Sequence, residues 1–91
     1  MNVHFKNINP ALSSVLRKKP VQVLVFKTNL RSKRDIRQVE PLLNSHHGVM
    51  CWNVDRHDID NVLRIETMHL QACDIISILT NAGYFCEELP D

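Results

Sequence analysis

The chain has 91 residues, of which 44% are hydrophobic, so it can bury one modest core and leaves no room for a second. Its 11 Lys and Arg side chains nearly balance its 10 Asp and Glu side chains, and the formal net charge is +1. Net charge therefore gives no argument for a nucleic-acid partner, and we expect none.

Three cysteines, Cys51, Cys73 and Cys86, are odd in number and widely spaced. This pattern fits neither a disulfide framework nor a zinc knuckle, and it favours a reducing compartment. Residues 11–16 form a broken, serine-containing apolar patch that is too short for a signal-peptide core or a membrane span. We expect a soluble, cytoplasmic protein with no membrane partner.

The first 20 residues read as an appendage to the domain. Asn9 and Pro10 are typical of a helix start, because Asn accepts free amide hydrogens and Pro suits the first helical position. The basic run 17–19 and Pro20 then end this short helix. We therefore place an appendage at residues 1–20 and one folded domain at residues 21–91.

Residues 21–26 are apolar except for Gln22 and rich in β-branched side chains, which predicts a central strand that needs cover on both faces. Ser32 can cap the next helix, with Asp35 in its first turn. The helix shows an apolar face at Ile36, Val39 and Leu43. Pro41 predicts a kink or early loosening, and the helix should end before Gly48.

A β-hairpin should follow this helix. Met50, Trp52 and Val54 alternate with more polar residues, the period of a strand with one buried face. Residues 56–61 are polar apart from Ile59 and form the turn, after which the chain resumes as a strand at 62–66.

Thr67 can cap a second apolar-faced helix that Gly83 ends, and residues 84–89 form the last strand. The order strand, helix, strand, strand, helix, strand predicts an α+β protein, because two helices that each need a sheet face form a two-layer sandwich. No internal repeat interrupts it.

The chain resembles the heavy-metal-associated domain family of copper chaperones and transporter modules over about residues 21–89. The matching stretches are Val21 to Leu30, the apolar spacing Ile36, Val39, Leu43, the run Gly48-Val49 leading into Trp52-Asn53-Val54-Asp55, and Ile75 to Leu79 with Asn81-Ala82-Gly83-Tyr84. The resemblance implies a ferredoxin-like fold, with an antiparallel sheet in the order 4-1-3-2 and both helices on one face.

The family binds a soft ion through a Met-x-Cys-x-x-Cys loop between the first strand and first helix, and this chain has no thiol there. One register places Leu30 at the methionine with Ser32 and Asp35 at the cysteines, and the other register places Arg31 and Arg34 at the cysteines. We therefore expect a lapsed metal loop and no cofactor.

Other residue patterns leave binding roles open. Arg31, Lys33, Arg34 and Arg37 cluster at a helix start, which makes an anion or partner surface, although a solvated charged helix start explains them as well. His46 and His47 are alternative metal ligands, but adjacent side chains diverge. The three cysteines are expected to be small packed residues, and Asp55, Asp58 and Asp60 to belong to a polar turn.

The first strand carries Val21, Val23 and Val25 on one face and Leu24 and Phe26 on the other. Because two helices cover only one face, the other needs a second cover. The candidates are the N-terminal segment around Phe5, Ile8, Leu12 and Leu16, or a second copy of the chain.

No Gly-rich phosphate loop, nucleophile elbow or His-Glu-x-x-His helix is present, so we expect no enzymatic activity. The first hypothesis is a protein-interaction or self-association module, with an unknown protein or a second copy as the partner. The alternatives are a metal-binding or metal-trafficking protein that uses His46, His47 or a cysteine, and an anion or ligand sensor.

Overall fold

The computed structural model describes residues 20–90, which form four strands and two helices. The elements are β1 (Gln22–Thr28), α1 (Lys33–Ser45), β2 (Cys51–Asp55), β3 (Val62–Thr67), α2 (Ala72–Asn81) and β4 (Cys86–Glu88). The short helix and the covering segment expected within residues 1–19 lie outside the described residues. Neither α1 nor α2 is long and apolar enough to cross a membrane.

The four strands form one antiparallel sheet, which confirms the α+β prediction. Their order is β2-β3-β1-β4, which reads β4-β1-β3-β2 from the other edge. In the register of the two central strands, Leu24 lies opposite Ile65 and Phe26 lies opposite Leu63. The strand predicted to be central does lie between two neighbours.

Local signals determine where α1 begins and ends. Ser32 caps the helix, and its hydroxyl accepts a hydrogen bond from the Asp35 amide at 3.2 Å, as the spacing of these residues predicts. The helix ends at Ser45, before Gly48, also as expected. It continues through Pro41 to Ser45, so the predicted early loosening does not occur, and the alternative, a kink at Pro41, stays a prediction.

The start of α2 differs from the prediction. Thr67 belongs to β3, and its hydroxyl oxygen accepts hydrogen bonds from the amides of His69 and Leu70 at 3.3 and 3.1 Å, so it closes a turn before the helix. The N-cap is Gln71, whose amide donates to Asp74 Oδ2 at 2.8 Å. Thr67 and Gln71 are both polar and both precede residues with helical apolar spacing, so the local pattern could not decide which of them is the N-cap.

The C-terminal end of the chain follows the prediction more closely. The helix stops at Asn81, and Gly83 has a φ of +92°, a left-handed conformation in which a β-carbon would be strained. The last strand is shorter than expected, because only residues 86–88 pair with β1.

The core lies between the sheet and the helices. Phe26, Trp52, Leu63 and Ile65 from the strands pack there in one cluster with the apolar faces of both helices. The Trp52 indole N–H donates to Asn44 Oδ1 at 2.8 Å, so this core tryptophan keeps a polar partner. The tryptophan is buried, as its alternation predicts.

The cysteine prediction is partly wrong. Cys86 is buried, but Cys51 is half-buried and Cys73 is exposed near the start of α2. All three are free thiols, as their separation on different elements implies. Cys73 lies on the solvent-facing side of α2. The tendency of cysteine to be buried does not determine which side of a helix a given residue occupies.

The second face of the sheet is mixed. On β1, Val23 is 49% exposed and Val25 is half-buried, whereas Val62 on β3 is buried. Arg64 lies opposite Val25, and Glu66 lies opposite Val23. Residues 20–90 alone therefore leave Val23 partly uncovered, and the cover expected for this face, the N-terminal segment or a second copy, stays a prediction.

Candidate functional site

Three connections meet at one end of the sheet, which we call the loop end. They are the β1–α1 loop at residues 29–32, the β2–β3 turn at 56–61 and the α2–β4 connection at 82–85. All the residues that the sequence places at the lapsed metal loop, and all four residues of the basic cluster, belong to this end or to the first turns of α1.

Thr28, a buried residue at the end of β1, joins the β1–α1 loop to the β2–β3 turn. Its amide donates to the Asp60 carbonyl at 3.0 Å, and its hydroxyl donates to the Asn61 carbonyl at 2.6 Å. The same hydroxyl oxygen accepts from the Leu30 amide at 3.1 Å. One threonine thus sets the geometry of two loops, because its hydroxyl both donates and accepts and its amide donates as well.

Two further bonds attach the α2–β4 connection to the same loop. The Phe85 amide donates to Asn29 Oδ1 at 2.9 Å. The Tyr84 hydroxyl donates to Asp35 Oδ1 at 3.1 Å. The loop end is therefore a cross-linked assembly of three segments rather than three independent loops.

The Asp35 carboxylate accepts several of the hydrogen bonds at the start of α1. Its Oδ2 accepts from the amides of Arg31 and Ser32 at 3.1 and 3.2 Å, in addition to the Tyr84 bond at Oδ1. Desolvation acts to raise the pKa of Asp35, but the hydrogen bonds from Arg31, Tyr84 and Ser32 outweigh it and hold that pKa below its ordinary value. The carboxylate is thus kept charged by donors within the chain.

The loop expected from the sequence to be a lapsed metal loop is occupied by structural contacts. Leu30, which the resemblance aligns with a methionine, is fully buried in the core. Ser32 and Asp35, which it aligns with cysteines in one register, form the capping box of α1. In the other register Arg31 and Arg34 are exposed cations. In either register the side chains present do not converge as a set of soft ligands.

The basic cluster is a solvent-facing surface. Arg31, Lys33, Arg34 and Arg37 are all exposed, and none forms an ion pair with another residue between 20 and 90. In the first turn of α1 the Asp35 amide donates to Ser32 Oγ, and the amides of Arg31 and Ser32, just before the helix, donate to Asp35 Oδ2. The four exposed cations around this helix start are available to an anionic group or to a larger partner.

The β2–β3 turn is tightly hydrogen-bonded. The His57 amide donates to Asp55 Oδ1 at 3.0 Å, and the Asp60 amide donates to Asp58 Oδ1 at 2.8 Å. Asn61 adopts a φ of +45°, and its amide donates to the Asp58 carbonyl at 3.0 Å. The three aspartates therefore belong to a polar turn, as predicted.

This ordered turn presents an isoleucine to solvent. Ile59 is 92% exposed, the largest exposed fraction among the large apolar side chains that the structure describes. Phe85, on the adjoining connection, is 49% exposed. The neighbours of Ile59 in the turn are hydrogen-bonded, so this exposed apolar side chain is carried by an ordered backbone.

The alternative metal ligands do not form a cluster. His46 follows α1, and its Nδ1 accepts from the Gly48 amide at 3.1 Å, while His47 is exposed. The 13 residues of α1, about 20 Å, separate them from Ser32. No group of three or more His, Cys, Asp or Glu side chains between residues 20 and 90 lies close enough together to hold a metal ion.

An apolar depression of about 300 Å³ lies between the two helices and reaches the first residue of the α2–β4 connection. Leu42, Ile78, Asn81 and Ala82 line it. It contains no charged side chain, so it offers an apolar contact area without a group that would orient a small polar ligand.

The sequence reasoning missed the two exposed apolar residues of the loop end. A signal for Ile59 existed, because it is the one apolar residue in an otherwise polar turn. Phe85 gave no such signal, since it falls in a stretch with the alternation expected for a strand.

Comparison with known proteins adds no relative. No family model matches the chain, and neither a curated protein nor a solved structure does.

Proposed function

We propose that this chain is a non-enzymatic binding module of ferredoxin-like shape, similar to a heavy-metal-associated domain without the metal loop. It docks on a protein partner, or on a second copy of itself, through the loop end. The observation that carries this proposal is the exposed Ile59, held outward by an ordered turn.

The energetics favour a protein surface as the binding partner. Complete burial of an isoleucine side chain stabilises a complex by about 1.5–3 kcal/mol. The turn that carries Ile59 is already hydrogen-bonded in the free chain, so little conformational entropy is lost when it docks. A central apolar anchor with charged residues around it is the usual composition of a protein interface.

The surrounding charges fit this role better than they fit ion binding. The cations at 31, 33, 34 and 37 point into solvent beside the anchor, where they can select a partner by charge. Ser32 and Asp35, in contrast, are engaged by amides and by Tyr84. A cation at this loop would have to displace these donors and lie among the positive side chains.

A binding experiment with matched variants tests the proposal. Tagged wild-type chain, Ile59→Ser and Val23→Ser are incubated with an extract of the cells that express the protein. Val23→Ser is the control, because it also removes a large exposed apolar side chain, but from the sheet face. The wild type should retain a protein from the extract, and an untagged copy of the chain counts as such a protein. We expect Val23→Ser to retain the same protein and Ile59→Ser to lose it.

Retention of the same bound proteins by Ile59→Ser as by the wild type would exclude the loop end as the docking surface. The absence of a metal role is tested separately, by titration of Cu(I), Zn(II) and Ni(II) into the ¹⁵N-labelled chain. Stoichiometric binding, with amide shifts confined to residues 29–35 or to His46 and His47, would contradict the proposal and support metal handling.

A further inference from the structure

We infer that the loop end binds a second copy of this chain, in a two-fold symmetric pair in which the basic helix start of each copy faces the acidic turn of the other. This inference rests on the proposed function, since it names the partner at the same surface.

The two layers of the loop end carry opposite charge. On the helix side, residues 31–37 contain four cations and one carboxylate, a net charge of +3. On the sheet side, residues 55–61 contain three carboxylates and one arginine, a net charge of −2 with neutral histidine. Thr28 ends β1, directly before the segment 31–37, and it is hydrogen-bonded to the turn within 55–61. The two charged segments therefore lie on the same end of the domain.

The charges within each layer are only partly neutralised. Asp60 forms an ion pair with Lys27 at 3.7 Å, and Asp35 is held by its amide donors. Asp58 is exposed, and its Oδ1 accepts only a backbone amide. With Lys27 counted, the sheet side keeps a net charge of −1, against +3 on the helix side.

A surface divided into a positive and a negative half is complementary to itself about a two-fold axis. Rotation by half a turn places the positive half of one copy against the negative half of the other, and the same contact is formed twice. Ile59 and Phe85, at the loop end of each copy, then lie within the contact and lose exposed apolar area. A partner that carries charge of a single sign would be complementary to only one half of the loop end.

The expected contact is weak and sensitive to salt. The surface is the end of a small domain, which places it below the roughly 1,200 Å² of a standard interface and in the range of transient association. Exposed charges more than a few ångströms apart are screened at about 1 M salt, where the Debye length is about 3 Å. Self-association should therefore fall as sodium chloride is raised.

Two charge variants test the pairing. The helix-side variant carries Arg31→Glu and Arg34→Glu, whose side chains form no bond with another described residue. The sheet-side variant carries Asp58→Asn, which keeps the acceptor for the Asp60 amide, and Glu87→Lys on the neighbouring strand β4. In each variant the two halves of the loop end become more alike in charge.

Sedimentation equilibrium over a concentration series, at low and high salt, gives the dimer dissociation constant. We expect the wild type to self-associate, each variant alone to bind itself at least tenfold more weakly, and an equimolar mixture of the two variants to recover association as a mixed pair. Arg64→Glu, on the open sheet face, is the control and should leave the constant unchanged.

Several results overturn the inference. One is a wild type that stays monomeric to about 1 mM, a concentration at which even weak pairs form. Another is a helix-side variant that associates as tightly as the wild type. The third is an equimolar mixture of the two variants that shows no recovered association. If the wild type is monomeric yet captures another protein through Ile59, the second-copy inference fails while the proposed function stands. If neither occurs, both fail.

Discussion

Removal of the Asp35 carboxylate is the most direct test of the structural role we assign to the lapsed metal loop. Asp35→Ala deletes the acceptor of two amide bonds, from Arg31 and Ser32, and of the Tyr84 hydroxyl bond. Loss of a helix cap costs about 0.5–2 kcal/mol. Because these bonds are exposed or half-buried, we expect a loss of about 1–2 kcal/mol in the free energy of unfolding.

Asp74→Ala provides a matched control, because Asp74 occupies the same position at the start of α2 but accepts a single amide bond, from Gln71. Urea denaturation should give a smaller loss for this variant. A loss of 1 kcal/mol corresponds to a decrease of about 4–8 °C in Tm for a domain of this size. If Asp35→Ala costs no more than Asp74→Ala, the bond to Tyr84 does not stabilise the loop end.

The pH dependence follows from the direction of the pKa shift. The folded chain holds the pKa of Asp35 below its unfolded value of 3.8, so its contribution is fully present above that value and disappears as pH falls through the folded pKa. The stability difference between wild type and Asp35→Ala should therefore be large near neutral pH and should shrink as the pH falls below 3.8. A difference that does not change with pH would show that packing, and not the charge, carries the effect.

Two other substitutions probe packing and thiol burial. An alanine β-carbon at Gly48 would lie 2.5 Å from Leu70 Cγ, so Gly48→Ala should destabilise the fold by about 1–3 kcal/mol in urea. The same substitution should cost less in a Leu70→Ala background, where the clashing atoms are absent. Burial raises the pKa of Cys86 from 9.0 to about 12, so stability should decline as pH rises from about 9 toward 12, and Cys86→Ser should remove this decline. In a thiol-labelling assay, the exposed Cys73 should react in the folded state, whereas Cys86 should react only on unfolding.

The elements of this fold were predictable where the signal is local. The Ser32 cap, the hairpin turn at 56–61 and the helix end at Gly83 each depend on residues a few positions apart, and each is present. The prediction failed at Thr67, and the early loosening expected at Pro41 does not occur, because at both positions a local rule competes with packing. A polar residue can close a turn instead of a helix, and a helix packed on a sheet tolerates an internal proline.

The candidate site was predictable only in part. The absence of thiols in the β1–α1 loop and the basic cluster at 31–37 were legible from residue types alone. The structural roles of Leu30 and Asp35 could not be predicted, because they depend on residues that contact them only in the folded chain. Leu30 is buried by the assembled core, and Asp35 meets a hydroxyl 49 residues further along the chain.

By itself, the sequence determined the order of strands and helices, the buried face of each and the lack of sulfur ligands at the first loop, since periodicity and residue chemistry act over short distances. Only the tertiary structure decided that three connections form one surface, because the bonds joining them span 33, 49 and 56 residues. Such contacts exist only after the chain has packed, and it is the packed chain that leaves Ile59 of the acidic turn in solvent.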